Sequence, residues 1–317
     1  MPTPSAHMAG FIGEAIGGSN YAWFHVDCPS QPCPPTGKNC REPYGVVANY
    51  HHHAALIRDQ LEAMYAAGQR RLRIPIFHMH GQNTGTVMDS QGGTLSEQHR
   101  QNLRDLLKDI RDIGYEAVII GFFPIGPYNT PFEWTTWREE AYQENWGLIV
   151  DLRPIVVDAG IPYLFDLMNE GAPQPSQTQL RAYVGRLWRD YAEAFGTEDT
   201  VGFSIIGDSP ARYQTLASIL DSTGYGRPTA YELHFYEDIS TNFQRMDAAM
   251  VAQGDHRPWI IGETFYNDAI SAQALARLSS RRRILYILQW PITRNRGCDG
   301  HCDVAPPKAF DHWLLEQ

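Results

Sequence analysis

The sequence predicts one α/β domain folded as a (β/α)8 barrel, the TIM-barrel architecture. Eight short apolar runs alternate with eight longer amphipathic segments along the 317 residues, and no linker-like stretch interrupts the series. Strands that alternate with helices in this way form a parallel sheet, and eight units are the number that closes such a sheet into a barrel. The length also fits, because barrels of roughly 250 residues fold as one domain.

The predicted strands are short runs rich in β-branched and aromatic residues, at 11–17, 71–77, 116–123, 163–168, 201–206, 230–236, 259–263 and 284–290. The predicted helices lie between them, at 47–67, 95–113, 138–159, 176–195, 209–221, 240–253 and 269–280, with a last one at 307–316. Ser96, directly ahead of a helical run, is a typical helix start. A doubly wound open sheet is the alternative, but Gly17-Gly18 is too short for the glycine-rich phosphate turn that follows the first strand of such a fold.

We expect the barrel to span 11–317, with 1–10 as a tail and a cysteine-rich insertion at about 19–50. The start, MPTPSAHMAG, lacks the charged-then-apolar pattern of a signal peptide and is typical of a mature or engineered terminus. The formal charge of −10, with no basic cluster beyond Arg281–Arg283, argues against nucleic acid or an anionic membrane as partner. No apolar run approaches the ~20 residues that span a bilayer. A monomer is expected.

The five cysteines lie in two polar stretches rich in Pro or Gly, and they are Cys28, Cys33, Cys40, Cys298 and Cys302. This clustering favours disulfides and an oxidising compartment, so a secreted or periplasmic protein is expected. The two stretches follow the first and last strands, which are neighbours in a closed barrel, and a disulfide between them is predicted. Zinc is the alternative because His301 lies within the second stretch, but neither stretch has the CxxC spacing of a zinc knuckle.

In such a barrel, function resides at the C-terminal ends of the strands, here called the mouth. The fourth predicted strand ends in Asn169-Glu170 and the seventh in Glu263. Strict alternation of side chains would turn Glu170 inward together with Met168, and Glu263 inward together with Ile261. The side chains predicted to meet at the mouth are Arg73, Glu170, His234, Tyr236, Glu263 and Trp290.

Two carboxyl groups that face each other across a cleft suit the cleavage of a glycosidic bond. One protonates the leaving oxygen while the other attacks the anomeric carbon, and a separation of roughly 5–5.5 Å gives retention of configuration. Their mutual repulsion keeps one of them protonated near neutral pH. Tyr236 and Arg73 could hydrogen-bond the nucleophile, and Arg73 is predicted to be an interior charge paired with Asp166, Glu232 or Glu263. A single glutamate at a strand end is more often a helix cap or a surface charge, but two of them at one mouth favour a functional site.

The order of these motifs resembles the clan A glycoside hydrolases, and most nearly glycoside hydrolase family 5, the cellulase-like retaining enzymes. The resemblance rests on RIP at 73–75, FDLMNE at 165–170, HFY at 234–236, GE at 262–263 and the Trp290 of LQW. It implies double displacement through a covalent glycosyl-enzyme, with Glu170 as acid/base and Glu263 as nucleophile, and no cofactor. It also implies a substrate-binding site that includes Arg73, Asn169, His234, Tyr236 and Trp290. The sequence departs from the family pattern at Gly171, where Pro is usual.

The loop after the third strand is rich in aromatic residues. Because sugar faces stack on aromatic rings, Tyr128, Phe132 and Trp134 are predicted to form subsites for an oligosaccharide or polysaccharide. The alternative is that these rings pack a helix onto the barrel, which is expected for the aromatic residues at 137–146.

Two other function classes were weighed. The histidines at 51–53 and the pair His78 and His80 could suggest a metal-dependent barrel hydrolase. Such enzymes also need a histidine on the fifth strand and an aspartate on the eighth, and both are missing, so no metal is expected. A non-catalytic carbohydrate-binding barrel is the second alternative, and the presence of both glutamates argues against it.

Overall fold

The structure, a computed structural model, describes residues 16–27, 41–294 and 304–313. These residues form a barrel of parallel strands surrounded by helices, which confirms the predicted (β/α)8 architecture. Among the described helices, none combines the length and the apolar character needed to cross a membrane.

The strands of the barrel run parallel to one another. In chain order they are β1 (Gly18–Asn20), β2 (Arg71–Met79), β3 (Met88–Asp89), β4 (Ala117–Pro124), β5 (Tyr163–Asp166), β6 (Thr200–Gly202), β7 (Ile205–Ile206), β8 (Tyr231–His234), β9 (Trp259–Glu263) and β10 (Ile284–Gln289). The pairing order is β6-β5-β4-β2-β1-β10-β9-β8-β7, and β3 pairs only with the end of β2. The ring closes because β6 and β7 are two halves of one strand position, of which β6 pairs with β5 and β7 pairs with β8.

The helices lie outside this ring. They are α1 (Val46–Ala66), α2 (Glu97–Ile113), α3 (Gly126–Asn129), α4 (Glu139–Asp158), α5 (Thr178–Phe195), α6 (Pro210–Thr223), α7 (Ile239–Val251) and α8 (Ala269–Leu278). All but the short α3 coincide with predicted helices to within about two residues. Ser96 caps α2 as predicted, because its hydroxyl oxygen accepts a hydrogen bond from the backbone N–H of His99.

The helix predicted at 307–316 is wrong over its described part. Only Asp311–Trp313 form one 3-10 turn, and the residues before them are not helical. The carbonyls that an α-helix would use internally are taken by side chains of the barrel instead: Gln289 of β10 donates to the carbonyl of Ala309 at 2.8 Å. This segment therefore packs along the barrel as an irregular strap.

The first strand also lies later than the predicted 11–17, of which residues 11–15 are outside the described part. The observed strand is Gly18–Asn20. A Cβ at Gly18 would lie 1.8 Å from the carbonyl oxygen of Arg71, so β1 approaches β2 too closely for any larger residue. The glycines that looked like the end of the strand are thus its beginning.

Three apolar clusters fill the molecule. The largest packs the helices onto the outer face of the strands. Inside the ring and toward the N-terminal ends of the strands is the interior apolar layer, formed by Ala117, Ile119, Leu164, Val201, Ala230, Ile260, Leu285, Tyr286 and Leu288. At the mouth lies the aromatic cluster, whose rings are Trp23, Phe77, Phe123 and Trp290. The barrel interior is therefore apolar toward the N-terminal ends of the strands and partly aromatic at the mouth.

Candidate active site

A network of charged side chains occupies the barrel interior above the apolar layer, and Arg73 of β2 is at its centre. Its guanidinium is fully buried and lies 2.6 Å from Asp166, 2.9 Å from Glu232 and 2.9 Å from Glu263. Arg73 is thus an interior charge with the carboxylate partners predicted from the sequence. Because burying an unpaired guanidinium costs several kcal/mol, these carboxylates explain how the charge is tolerated.

Glu263 reaches the mouth through an irregularity of β9. By strict alternation it was expected to face inward together with Ile261, but Ile261 packs in the outer, helix-facing cluster and Ile260 faces the interior. The register shifts in this stretch, since Leu233 pairs with Ile261 while His234 pairs with Glu263. This bulge inserts one residue and turns the carboxylate of Glu263 inward. The predicted position of Glu263 holds, but the predicted phase of its strand was wrong.

The carboxylate of Glu263 is held at both oxygens. Oε1 accepts a hydrogen bond from Arg73 at 2.9 Å, and Oε2 accepts one from the Tyr236 hydroxyl at 2.7 Å. Burial and the neighbouring carboxylate raise the pKa of Tyr236 well above its usual value, so its hydroxyl remains a donor. One cationic and one neutral donor therefore fix the orientation of this carboxylate.

Glu170 also departs from regular strand geometry. Its φ of +51° lies in the left-handed region, which few non-glycine residues adopt. Met168, which was expected to face inward with Glu170, is buried in the outer cluster. The left-handed residue turns the chain after β5, and the backbone N–H of Glu170 donates to the Ser204 hydroxyl at 2.7 Å. Such strain at a strand end is typical of functional sites.

His234 of β8 lies between the two glutamates and is almost fully buried. Its Nδ1 is 3.2 Å from Oε1 of Glu170 and 3.6 Å from Oε2 of Glu263, and its Nε2 is 3.3 Å from Oε1 of Glu232. Beside ionised carboxylates, which only accept hydrogen bonds, both ring nitrogens act as donors when the ring is an imidazolium. Burial opposes the charge, but Glu263, Glu170 and Glu232 outweigh it and raise the pKa of His234 to about 10.

The protonation of the two glutamates follows from these neighbours. Burial works against the ionisation of Glu170, but the hydrogen bond and charge of His234 prevail and lower the pKa of Glu170. Burial and the negative charge of Glu170 raise the pKa of Glu263, against the opposing charges of His234 and Arg73. The repulsion between the two carboxyls therefore contributes to the raised pKa of Glu263, while the pKa of Glu170 is lowered. Deeper in the barrel, burial and Glu232 raise the pKa of Asp166 to about 6.

The distance between the two carboxyls is short. One carboxylate oxygen of Glu170, one of Glu263 and a ring nitrogen of His234 all lie within 4.8 Å of one another. In the described part of the chain, no other group of three such side chains could hold a metal ion. The donor set fits a cation poorly, because Arg73 and Tyr236 already engage both oxygens of Glu263 and the guanidinium would repel a divalent ion. A charged His234 ring would also repel a cation.

Asn169 joins the network beside Glu170. Its side-chain oxygen accepts a hydrogen bond from Arg73 at 2.8 Å. Within the described residues its Nδ2 has no hydrogen-bond partner, and it is only half-buried, so this amide can donate to a ligand in the mouth. The adjacent pair therefore presents one amide donor and one carboxylate.

Trp290, from the end of β10, forms one side of the mouth. Its ring lies 5.5 Å from Trp23 at a right angle and stacks on Phe123 at 5.9 Å. Phe77 completes this aromatic cluster at 4.9 Å from Phe123. These four rings are at most 9% exposed, so they pack on one another as a cluster at the mouth.

The loop after β4 does not supply the subsites expected of all three of its rings. Trp134 is 5% exposed, donates its indole N–H to the carbonyl of Tyr128, and packs edge-on against Tyr183 of α5. It belongs to the packing of the helix layer, so its predicted role in substrate binding does not fit its position. Tyr128 instead stacks on His80 at 4.3 Å, and Phe132 is half-exposed.

The other histidines have partners of their own. Burial lowers the pKa of His78 to about 3, and its neutral ring is paired with the Ser90 hydroxyl at 3.0 Å. His80 is bonded to the buried Glu144 at 2.7 Å. His51 is bonded to Asn102, and its neighbours at 52 and 53 are on the exposed start of α1. These contacts explain the histidines without a metal.

Two polar residues of the network were missed in the sequence. Asn20 of β1 accepts a hydrogen bond from Arg73 at 3.0 Å and donates to the carbonyl of Gly262 at 2.8 Å. Glu232, considered only as a partner of Arg73, also contacts His234. The available signal was the alternation along β8, which places Glu232 and His234 on the same inward face. The five cysteines lie outside the described residues, and their disulfides remain a prediction.

Comparison with solved structures finds family 5 and related clan A glycoside hydrolases as neighbours. An endo-β-mannanase/endo-β-glucanase from Prevotella bryantii matches 98% of this chain and 50% of its own length, at 12% identity and a TM-score of 0.57. An exo-β-1,4-mannosidase from Opitutaceae bacterium strain TAV5 matches 92% of this chain and 55% of its own, at 12% identity and a TM-score of 0.53. The chain thus spans about half the length of these two proteins. No protein-family model and no curated protein sequence matches it. At such identities the likeness shows the fold.

Proposed function

We propose that this protein is a retaining glycoside hydrolase that cleaves an oligosaccharide or polysaccharide by double displacement. The observation that carries this proposal is the pair formed by Glu170 and Glu263, whose carboxylate oxygens lie within 4.8 Å of each other at the mouth. An inverting enzyme must fit a water between its carboxyls and separates them by roughly 6.5–9.5 Å. The nearest oxygens of the observed pair lie closer together than that, which favours a direct attack on the sugar.

Glu263 is the nucleophile in this mechanism. Its carboxylate, oriented by Arg73 and Tyr236, attacks the anomeric carbon and forms a glycosyl ester, while the bond to the leaving oxygen breaks. Burial and the charge of Glu170 raise the pKa of Glu263, so the attacking carboxylate forms only above that pKa. The same two donors hold it in place throughout, which keeps the reacting oxygen in a fixed position.

Glu170 gives its proton to the leaving oxygen and then takes one from the water that hydrolyses the ester. Before the sugar binds, the imidazolium of His234 carries a proton on Nδ1, 3.2 Å from Glu170, and against the effect of burial it lowers the pKa of Glu170. That proton can pass from Nδ1 to Oε1 of Glu170 when the sugar covers the site, and His234 is then neutral. Asn169 has an amide directed to the same space and would bind a sugar hydroxyl.

The substrate class follows from the walls of the mouth. The aromatic cluster around Trp290 lies beside the charged network with its rings at most 9% exposed, so we propose that a sugar ring meets its rim while the network offers donors and acceptors for the sugar hydroxyls. Two structural neighbours are named for action on β-mannan or β-glucan bonds. These points support a β-linked polysaccharide as the substrate to test first, and we propose that the enzyme is secreted and works without a cofactor.

The test is the anomeric configuration of the first product. The protein is incubated with a panel of β-mannans, β-glucans and aryl β-glycosides, and proton NMR follows the anomers before mutarotation. We expect release of the β-anomer first. Initial release of the α-anomer would show inversion and refute the mechanism, and binding to a polysaccharide without any turnover would favour a non-catalytic barrel.

A further inference from the structure

Glu232 is a buried carboxylate that the two-glutamate mechanism does not use. It is fully buried in β8, two residues before His234 and on the same inward face. Its Oε1 lies 2.9 Å from Nε of Arg73 and 3.3 Å from Nε2 of His234. Its Oε2 is buried and has no hydrogen-bond partner among the described residues. A carboxylate in such a position costs free energy unless both cations hold it.

The backbone of the neighbouring strand is shaped around this carboxylate. A Cβ at Gly262 would lie 2.0 Å from Oε1 of Glu232. No other residue type fits at 262 while Glu232 keeps its place. Gly262 also directly precedes Glu263 in the bulge of β9, so the space for Glu232 and the inward turn of Glu263 depend on one residue.

The two nitrogens of the His234 ring have different tasks. Nε2 points down to Glu232, and Nδ1 points up to the gap between Glu170 and Glu263, at 3.2 Å and 3.6 Å. A histidine whose inner nitrogen is held by a carboxylate has a fixed ring orientation and a stabilised imidazolium, as in catalytic triads. The charged groups that face His234 are Glu232 on its own strand, Glu170 and Asp166 from β5 and its end, and Glu263 from β9.

We propose that Glu232 is a positioning residue, which keeps both nitrogens of His234 protonated and aims the Nδ1 proton at the gap between Glu170 and Glu263. The proposal deepens the glycosidase mechanism, which needs a proton at that gap, and in this respect it rests on the proposed function. When Nδ1 gives its proton to Oε1 of Glu170, the ring keeps the proton on Nε2, which Glu232 holds. The charge of Glu232 thus favours return of the proton at the end of each cycle.

The test is the titration of His234 followed by nitrogen-15 NMR of the histidine ring, with no substrate present. The signal is assigned by its loss in a His234→Gln variant. We expect the wild type to show an imidazolium at pH 8. In Glu232→Gln, which keeps the shape but removes the charge, we expect the midpoint to fall by ~1–3 pH units. A neutral ring in the wild type at pH 7, or an unchanged midpoint in the variant, would overturn the proposal.

Two further variants control for the loss of a buried carboxylate as such and for a failure of Glu232→Gln to fold. Asp199→Asn removes another buried carboxylate, one bonded to Tyr191 and Arg153 and not to His234, and it should leave the titration of His234 unchanged. If Glu232→Gln does not fold, Glu232→Asp keeps the charge and withdraws it by one methylene, and the midpoint should fall by a smaller amount. The wild-type titration stands even if neither variant folds.

The titration also separates this proposal from the proposed function. If the midpoint moves as expected but the wild type hydrolyses no glycoside, Glu232 positions His234 and the glycosidase proposal fails. If the wild type is a retaining glycosidase and the midpoint does not move, only the role of Glu232 fails.

Discussion

The two halves of the barrel interior are built by opposite rules. Toward the N-terminal ends of the strands, the interior apolar layer brings together residues such as Leu164 and Ile260, and the charge of Arg71 lies at its edge, over the ring of Tyr286 and paired with the half-exposed Glu116. One step higher on the same strands, Asp166 and Gly262 replace them, and the interior is occupied by the network of Arg73. The apolar layer stabilises the fold through burial, at about 25 cal/mol per Å² of apolar surface.

The half of the interior at the mouth contains the buried charged network of Arg73, which lowers stability. Each buried carboxylate of the network contacts Arg73 or His234, and replacement of such networks by apolar residues often stabilises proteins. Their presence at the mouth and not below therefore indicates function more strongly than any single residue does. The comparison predicts that substitutions in the charged network will reduce activity more than stability. Substitutions in the interior apolar layer should reduce stability more than activity.

The largest effect is expected for the two glutamates. Glu263→Ala should lower kcat/KM by roughly 10⁴-fold or more for every substrate, because no glycosyl ester can form. Glu170→Ala should lower the rate by roughly 10²–10⁴-fold for poor leaving groups, while activated aryl glycosides still react in the first step. Steady-state and burst kinetics measure both.

Added azide separates the two roles. It should rescue Glu170→Ala with retained configuration and Glu263→Ala with inverted configuration, because in the latter it attacks the substrate directly. The reverse pattern would exchange the assignments. Glu116, at the opposite end of the barrel and paired with Arg71, provides the control, and Glu116→Gln should leave kcat/KM unchanged.

Arg73→Ala should lower both stability and activity. It leaves Asp166, Glu232 and Glu263 buried without their shared cation, so the free energy of unfolding should fall by ~3–5 kcal/mol and turnover should fall with it. Urea unfolding and kinetics on the same preparation measure the two losses. Arg73→Lys keeps the charge without the planar fork and should give intermediate losses. Unchanged stability and rate in Arg73→Ala would contradict its central place in the network.

A disulfide should secure the mouth, where apolar packing is weaker. β1 pairs with β10, so the two strands that precede the cysteine stretches are neighbours. We predict at least one disulfide among Cys28, Cys33, Cys40, Cys298 and Cys302, and we expect it to link the two stretches. Reduction should lower the free energy of unfolding by ~2–4 kcal/mol. Mass spectrometry of the unreduced digest locates the bond, and five free thiols would contradict it.

The sequence was sufficient for the order of strands and helices and for the strand ends that carry Glu170, His234 and Glu263. Apolar periodicity determines these features, and it is a local property. The inward turn of Glu263 could not be predicted because it depends on a bulge that Gly262 permits beside Glu232, a contact between two strands. The left-handed backbone of Glu170 likewise breaks the alternation used for the prediction.

The position of the aromatic residue Trp134 also could not be predicted from the sequence. Trp134 follows a strand at the mouth, where a sugar-binding ring is expected, yet its contacts with Tyr183 and Trp137 place it between helices. Composition cannot distinguish a ring that faces a cleft from one that packs a helix, because both need apolar surface. Only the path of the loop after β4 separates the two.

The smallest expected effect is a loss of stability from a substitution in the interior apolar layer. Ile260 faces the interior apolar layer and its neighbour Ile261 faces the helices, and both are fully buried. Ile260→Val removes one methylene and should cost ~0.5–1.5 kcal/mol of stability, measured by urea unfolding. Ile261→Val is the matched control and should cost the same. Neither should change kcat/KM, because Gly262 and its bulge separate both residues from the network. A tenfold loss of kcat/KM in Ile260→Val alone would show that the apolar layer sets the position of Glu263, and the division between the two halves would then be wrong.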